Sequence, residues 1–359
     1  MRTISKNKKV FVAMSGGVDS SVAAALLKER SYEVIGVHMK CYNVDGCAEQ
    51  DAEDARRAAE ILGIPFYVFD FEKEYKDKVV RYMIEGYKNG ITPNPDVMCN
   101  KEIKFGLFFE KALAIGADYV ATGHYVRLKN NKLAIAKDLN KDQSYFLWTL
   151  KKEQLKQCLF PVGGYRKPQV RKLAQKFGLQ NAEKKDSQGI CFLGQVTLKD
   201  FLGNYIPEKP GNIIDVSGVK VGEHHGAHFY TIGQRHGVGI SGNAMPYYVT
   251  DKNVKTNTII VARGENHPAL YRKEVQLAQI NLFEPLTKKS SVVYARVRYR
   301  QPLAEAQLVK LNQQINIVFK KPQKFVAIGQ SCVFYTCIPS ASSGRNSKEF
   351  RMLGGGIIK

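Results

Sequence analysis

The chain has 359 residues, 44% of them hydrophobic and 24% charged, which is a soluble globular composition long enough for two or three domains rather than one core. Its 54 lysines and arginines against 33 aspartates and glutamates give a formal charge of +21, which points to a polyanionic partner. The first residues lack the uninterrupted apolar run of a secretory signal, no stretch approaches a membrane span, and seven scattered cysteines argue against a disulfide framework. The expected compartment is therefore the cytoplasm, without membrane attachment.

In chain order, Val10 to Met14 reads as a short buried strand, Ser20 to Arg30 as a helix and Tyr32 to Met39 as a second apolar strand, a βαβ unit. A helix from Glu49 to Leu62, a strand over Pro65 to Phe71 and a helix from Glu72 to Asn89 continue the alternation, which predicts a mostly parallel sheet covered by helices. A proline-rich loop, ITPNPDVMCN, then precedes a helix predicted from Lys101 to Ile115 and a strand over Tyr119 to Thr122. Lys129-Asn130-Asn131-Lys132 predicts a hairpin turn. Two prolines and a glycine near Ile206 to Gly211 mark a domain boundary. Beyond it the signals are β-rich: IIDV, HFYTIG, YYVTD, NTIIVA, VVYARVRY, AQLVKL, INIVFK and SCVFYT. A small β-rich insert and a terminal β-barrel or sandwich account for them, with a second boundary between Gly264 and Leu277. Ser340 to Ser347 reads as a polar loop.

The charge is uneven. Residues 1–100 balance to −1, residues 101–200 to +10, residues 201–250 to zero and residues 251–359 to +12. Two basic zones around a neutral insert favour nucleic acid over mere solvated faces, and Lys151, Lys152 and Arg171 belong to the first zone.

Ser15-Gly16-Gly17-Val18-Asp19-Ser20-Ser21 follows the first strand and opens the first helix. Glycines admit a ligand close to the backbone, and a helix N-terminus with serine hydroxyls attracts phosphate, while Asp19 can hold magnesium. A capped strand-to-helix turn is the plainer reading of such a segment. The loop lacks the Gly-Lys-Ser/Thr ending of a Walker motif and resembles the SGGxDS loop of adenylating PP-loop enzymes, which split ATP into AMP and pyrophosphate. Met39 ends the second strand at the edge where that fold receives adenine.

Asp96 and Cys99 lie three residues apart among rigid prolines, with Lys101 and Lys104 near enough to favour a thiolate. Cys191 stands in KDSQGICFLG between glycines and lysines, as a mobile reactive cysteine would. Any one of these thiols is also compatible with an inert buried residue. Cys41 with Cys47, and Cys332 with Cys337, are poor zinc spacings without neighbouring histidines. His224, His225 and His228 have ligand-like spacing but read as a surface loop, so no metal site is assigned.

SGGVDSS, NPDVMCNKEIKF, ATGHY, NKDQSYFL, FPVGGYRKPQVRKLA, KDSQGICFLG, HFYTIGQRHGVGI, RVRYRQ and GGGII occur in the order found in the tRNA-specific 2-thiouridylase family, which the chain resembles from about Val10 to its last residues. The resemblance implies an α/β fold: a PP-loop parallel-sheet domain over residues 1–205, Rossmann-like and akin to adenine nucleotide alpha hydrolases, a small β-rich central domain over 206–272, and a tRNA-contacting β-barrel over 273–359. It further implies ATP-dependent 2-thiolation of the wobble uridine of the tRNAs for lysine, glutamate and glutamine. On this resemblance Cys191 carries sulfur as a persulfide, Cys99 is the partner nucleophile, and Asp96 is the acid or base that holds the target base with Asn94 and Pro95. Disulfide chemistry belongs to the same cycle. Ala13, Met14, Ser15, Gly16, Gly17, Val18, Asp19, Ser20, Met39 and Gly123 are the implied ATP contacts. His124, Lys141, Asp142, Gln143, Arg298, Tyr299 and Gln330 are the implied tRNA contacts. The implied partners are tRNA, ATP with magnesium, and a cysteine desulfurase or sulfur-relay protein as donor; a monomer is expected. Gln188 stands where threonine is usual, and Ile328 replaces a proline before Gly329-Gln330. An iron-sulfur cluster held by Cys99, Cys191 and Asp96 is a variant of the same chemistry that is not favoured. A PP-loop enzyme using an amine nucleophile would need neither cysteine, and a non-catalytic RNA-binding protein would not need the loop.

Overall fold

The structure, a computed structural model, describes residues 8–44, 47–185, 190, 192–194, 196–240, 245–286, 288–311, 314–339 and 348–359. Cys191, Gln188 and the stretch 340–347 lie outside the described residues. The chain divides into two compact units, one of residues 1–79, 96–195 and 336–353, the other of residues 80–95, 196–335 and 354–359.

The first unit contains β1 (Lys9–Ala13), β2 (Glu33–Lys40), β3 (Phe66–Asp70), β4 (Tyr119–Thr122), the hairpin β5 (Arg127–Lys129) and β6 (Lys132–Ala134), and β7 (Cys158–Leu159). The sheet order is β3-β2-β1-β4-β7, and its pairings are parallel. The chain moves outward from β1 to β3 and then crosses to β4 on the other side of β1. That reversal leaves a crevice at the carboxyl ends of β1 and β4, where open α/β sheets take ligands. Helix α1 (Val18–Glu29) is alanine-rich and buried along Val22 to Leu27, its small side chains allowing it to lie close against Val10 and Val12. Helix α2 (Cys47–Ile61) turns Ala55, Ala58 and Ala59 inward and pairs Glu53 with Arg56 and Arg57 outside. Asn130 and Asn131, at φ 50° and 58°, make the tight turn between β5 and β6 that their sequence predicts.

Two helical stretches contain π-helical segments, which are rare and recur at functional sites. Helix α3 (Glu72–Tyr75) continues through Lys76–Val80 into α4 (Arg81–Lys88), and α5 (Pro95–Met98) continues through Cys99–Phe108 into α6 (Phe109–Ala114). The second stretch corrects the expectation of a loop that ends before a helix at Lys101. Proline has a fixed φ and no N–H to leave unbonded, so Pro95 starts the helix instead of delaying it. Asp96 and Cys99 are helical residues. Helix α7 (Lys167–Lys176) completes the regular helices of this unit.

The second unit holds α8 (Leu198–Gly203) and a four-stranded sheet of β8 (Gly211–Asp215), β9 (Lys220–His224), β10 (Tyr247–Asn253) and β11 (Thr258–Arg263), in the order β10-β11-β8-β9. The strand expected at HFYTIG is a 3₁₀ turn at Ala227–Phe229 followed by a bend that Gln234 N–H closes onto Thr231 O at 2.9 Å. Burying Phe229 and Tyr230 satisfies its apolar pattern without a ladder. His224 corrects a second expectation, since it ends β9 and is buried rather than placed on a surface loop. Strands β12 (Tyr271–Leu282), β13 (Ser290–Arg296), β14 (Ala304–Leu311), β15 (Gln314–Lys324), β16 (Ser331–Pro339) and β17 (Lys348–Ile358) run in the order β12-β15-β14-β13-β16-β17. Because β17 pairs back on β12, they close a six-stranded antiparallel barrel. Closure leaves no open edge. Among the described residues no helix is long and apolar enough to cross a membrane.

Candidate nucleotide and thiol site

Ala13 ends β1 and Met14 leaves it, both buried, with Met14 N–H donating to Val37 O at 2.8 Å. Ser15, Gly16 and Gly17 form the turn into α1, which Val18 opens. The turn braces itself: Ser15 N–H donates to Ser20 Oγ at 3.2 Å, and Ser20 Oγ and Ser21 Oγ donate to Gly17 O at 3.0 and 3.2 Å. Gly16 has φ +76°, and a Cβ there would lie 2.3 Å from the Asp51 carbonyl oxygen. Gly123, just past β4, would set a Cβ 2.6 Å from Ser20 N. The end of β4 thus touches the helix N-terminus through backbone alone, which explains glycine in ATGHY. Met39 lies near the end of β2, half-buried and paired with Phe69.

Four residues that sequence reasoning did not single out complete this loop. Tyr125 Oη donates to Asp19 Oδ1 at 2.7 Å, and Lys167 Nζ donates to both Asp19 oxygens at 2.8 and 2.9 Å. Asn181 Nδ2 donates to Gly16 O at 3.0 Å and to Ser21 Oγ at 2.9 Å. Lys184 Nζ donates to Asp51 and Asp54 on α2, at 2.7 and 2.6 Å. Tyr125 and Lys167 fall inside recognised motifs, ATGHY and RKPQV; Asn181 and Lys184 carry no local signal and were reachable only through the fold.

On the helix begun by Pro95, Asp96 and Cys99 are three residues apart, so they share a face. Asn100 Nδ2 donates to Asp96 O at 2.9 Å, and Cys99 is buried. Burial pushes the Asp96 carboxyl up to about 6, while the charge of Lys104 pulls the other way. His124 is buried between Phe105 and Phe160, with ring centroids 6.1 and 6.4 Å away, and Thr122 Oγ1 lies 2.7 Å from its Nδ1. Burial, with Lys104 acting in the same direction, holds its pKa well below the usual histidine value. It is a neutral ring in a hydrophobic seat.

Asn94 and Pro95 belong to the second unit, where Gln330 clamps the segment from Thr92 to Asn94: its Nε2 donates to Thr92 O and Pro93 O at 3.1 and 3.0 Å, and Asn94 Nδ2 donates to its Oε1 at 3.4 Å. Ile328 meets this loop through its carbonyl, which accepts from Thr92 N–H at 2.9 Å, so a residue other than proline there leaves Gln330 in place. Asp142 is buried, and its carboxylate accepts from Ala136 N, Ser144 N and Ser144 Oγ. Gln143 Oε1 accepts from Tyr125 N at 2.9 Å. Of the run at 141–143, two side chains therefore shape the loop, and Lys141 is partly exposed. Arg298 donates to Ile232 O at 2.5 Å and lies over Phe325, while Arg300 lies over Tyr299. Arg171 donates to Ala182 O and Lys184 O, a brace rather than a free surface cation.

Cys191 is outside the described residues, but the chain beside it is held. Phe192 is 2% exposed against Tyr42 and Tyr75, and Val44 N–H donates to its carbonyl at 3.1 Å. Burying a phenylalanine contributes roughly 1.5–3 kcal/mol, which holds Phe192 in its seat. Cys158 and Cys332 are buried thiols whose pKa burial pushes far up, the inert kind. Among the described residues no group of three or more His, Cys, Asp or Glu could hold a metal ion. Asp19 is the loop's single carboxylate, and it suits a magnesium carried on the nucleotide, which takes one or two carboxylates beside phosphate oxygens and water.

A parallel sheet with a Ser-Gly-Gly turn at its switch point, no Walker lysine in that turn, and an acid three residues from a buried thiol on one helical face fits a nucleotide-binding enzyme of the PP-loop class. Family profiles described as the tRNA methyl transferase HUP domain, the tRNA methyl transferase PRC-barrel domain and the aminomethyltransferase beta-barrel domain match residues 8–195, 199–263 and 272–358. The chain is 47% identical over 352 residues to tRNA-specific 2-thiouridylase MnmA 1 of Geobacillus kaustophilus, covering 94% of this chain and 95% of that one. It is 45% identical to the tRNA-specific 2-thiouridylase MnmA of Alkaliphilus oremlandii, covering 92% and 94%, and 43% identical to that of Streptococcus agalactiae, covering 99% and 96%. Among solved structures, a 4-thiouridine synthetase–RNA complex with bound ATP aligns with a TM-score of 0.34 at 17% identity, over 56% of this chain and 50% of that one. The chain belongs to the tRNA-specific 2-thiouridylase family.

Proposed function

We propose that the protein is a tRNA-uridine 2-sulfurtransferase that replaces O2 of the wobble uridine, position 34, in the tRNAs for lysine, glutamate and glutamine. The carrying observation is that one compact unit holds both a glycine-rich strand-to-helix loop at a sheet switch point and, on one helical face, Asp96 three residues from the buried Cys99. A carbonyl oxygen is a poor leaving group. The uridine O2 attacks the α-phosphorus of ATP, the Pα–O bond to the β-phosphate breaks, and pyrophosphate leaves. Sulfur of a Cys191 persulfide then attacks C2 and expels AMP. Cys99 thiolate attacks the Cys191 sulfur, the S–S bond breaks towards the transferred sulfur, and a Cys99–Cys191 disulfide remains for an external thiol to reduce.

Asp96 supplies or takes the proton, and its raised pKa suits a group that must change state near neutral pH. A stacked anticodon base is out of reach, so the uridine is flipped out towards the loop that carries Asn94 and Pro95. The lysines and arginines of the two basic zones bind the tRNA backbone, with His124, Lys141, Arg298, Tyr299 and Gln330 near the RNA. Asp19 would hold a magnesium ion carried on the nucleotide, which would neutralise phosphate charge. The three-part reading of residues 1–205, 206–272 and 273–359 assigns these tasks to catalytic, central and tRNA-contacting domains. A cysteine desulfurase or sulfur-relay protein loads Cys191 in the cytoplasm, and the enzyme works as a monomer.

Cys99→Ser and Cys191→Ser are each expected to abolish 2-thiouridine formation while ATP-dependent pyrophosphate release on tRNA survives. Thiolation retained in either variant would falsify the scheme. Full thiolation by iron-free protein excludes the cluster variant.

A further inference from the structure

The SGGVDSS loop contains no basic side chain and adds a negative one, Asp19, yet it has to receive a triphosphate. The missing positive charge comes from α7. Lys167 stands in the first turn of that helix, directly after the N-cap Arg166, with Pro168 beside it. Its side chain is 10% exposed, its backbone N–H donates to Asp138 Oδ2 at 2.8 Å, and its ammonium bridges both oxygens of Asp19. A lysine so deeply buried is costly, and a helix N-terminus is the wrong end for a cation. Asp19 offsets part of that cost, while its own side chain remains 29% exposed at the mouth of the loop.

We infer that Lys167 is a ligand of the pyrophosphate half of ATP, held ready by Asp19 and Tyr125. The inference deepens the reading of the loop as an ATP site and rests on it. When the nucleotide enters, the ammonium turns from the carboxylate to β- and γ-phosphate oxygens. As the bond between Pα and the bridging oxygen breaks, the electron pair leaves on pyrophosphate, and Lys167 neutralises that charge without giving up a proton. A Walker lysine sits inside its own loop; here the same task is met from about 150 residues downstream, which is why the loop sequence alone does not show it.

The test is calorimetric binding of inorganic pyrophosphate, α,β-methylene-ATP and AMP to the full chain, with magnesium throughout. Lys167→Met is expected to weaken pyrophosphate and the ATP analogue about 10- to 100-fold, as loss of a charge-assisted phosphate contact does, and to change AMP by less than about threefold. Lys167→Arg keeps a phosphate-binding cation and should restore most of the loss. Should Lys167→Met fold poorly, Lys167→Gln, which removes the charge but keeps a polar partner for Asp19, is read the same way. Unchanged pyrophosphate affinity, or an equal loss for AMP, overturns the inference, the second outcome meaning that the lysine only props the loop. Binding to the unsubstituted protein reads the ATP site itself, and the ratio of pyrophosphate loss to AMP loss reads Lys167, so the two ideas fail separately.

Discussion

Gln330 offers the sharpest separation between an RNA contact and a protein clamp. Its amide makes three hydrogen bonds to the segment 92–94, two of them to backbone carbonyls, and Thr92 and Asn94 are 5% and 9% exposed. Gln330→Ala leaves those groups short of partners in a poorly hydrated place. At roughly 1 kcal/mol for each bond, with more where the orphaned group stays dry, the local loss is about 2–4 kcal/mol. The rest of the barrel keeps its ladders, so the loss falls on the loop rather than on the global fold. Amide exchange at Thr92, whose N–H is bonded to Ile328 O, is expected to speed up at least tenfold. kcat/KM for tRNA thiolation should fall by a similar factor through a misplaced Asn94, with KM for ATP unchanged. Unaltered exchange at Thr92 alongside a raised KM for tRNA would refute the clamp and leave Gln330 as a direct contact.

Three further outcomes follow from the structure. The Asp96 carboxyl is raised to about 6, so as a base it becomes competent as pH climbs through that value. kcat should show an acid limb near pH 6 that Asp96→Asn abolishes along with activity; a limb that persists in residual activity assigns it elsewhere. The linkage sign runs the other way for stability, because the fold favours the neutral acid. The ionised form is penalised increasingly from about pH 4 to pH 6, and Asp96→Asn should melt higher than the unsubstituted protein above pH 6. Lys151, Lys152 and Lys156 are exposed, unlike the bracing Arg171. Reversing all three to Glu should lower the slope of log K for tRNA against log salt by about two to three while ATP affinity holds, and an unchanged slope would make that zone a mere solvated face.

The alternation of strands and helices announced the parallel sheet, because strands buried on both faces must be apolar and α1 must be small-sided to lie on them. The nucleotide loop was equally legible, since glycines at a strand-to-helix turn are a local requirement. Local pattern misled where a side chain served two ends. HFYTIG alternates like a strand yet buries Phe229 and Tyr230 in a turn, and the proline-rich segment looked like a loop although Pro95 starts a helix. Strand β12 escaped notice because its first half reads as charged and its apolar residues face the barrel only in the closed ladder.

Sequence by itself determined the fold class, the family and the basic character, since each rests on residue types in local patterns, and it singled out Asp96, Cys99 and Cys191 as the candidate chemical groups. Only the tertiary structure decided which distant groups serve them. Lys167 reaches Asp19, Asn181 reaches Gly16 and Gln330 holds Asn94 across separations of 148, 165 and 236 residues. Such pairings are set by how the sheet and the barrel close, which bring together residues that no local pattern links.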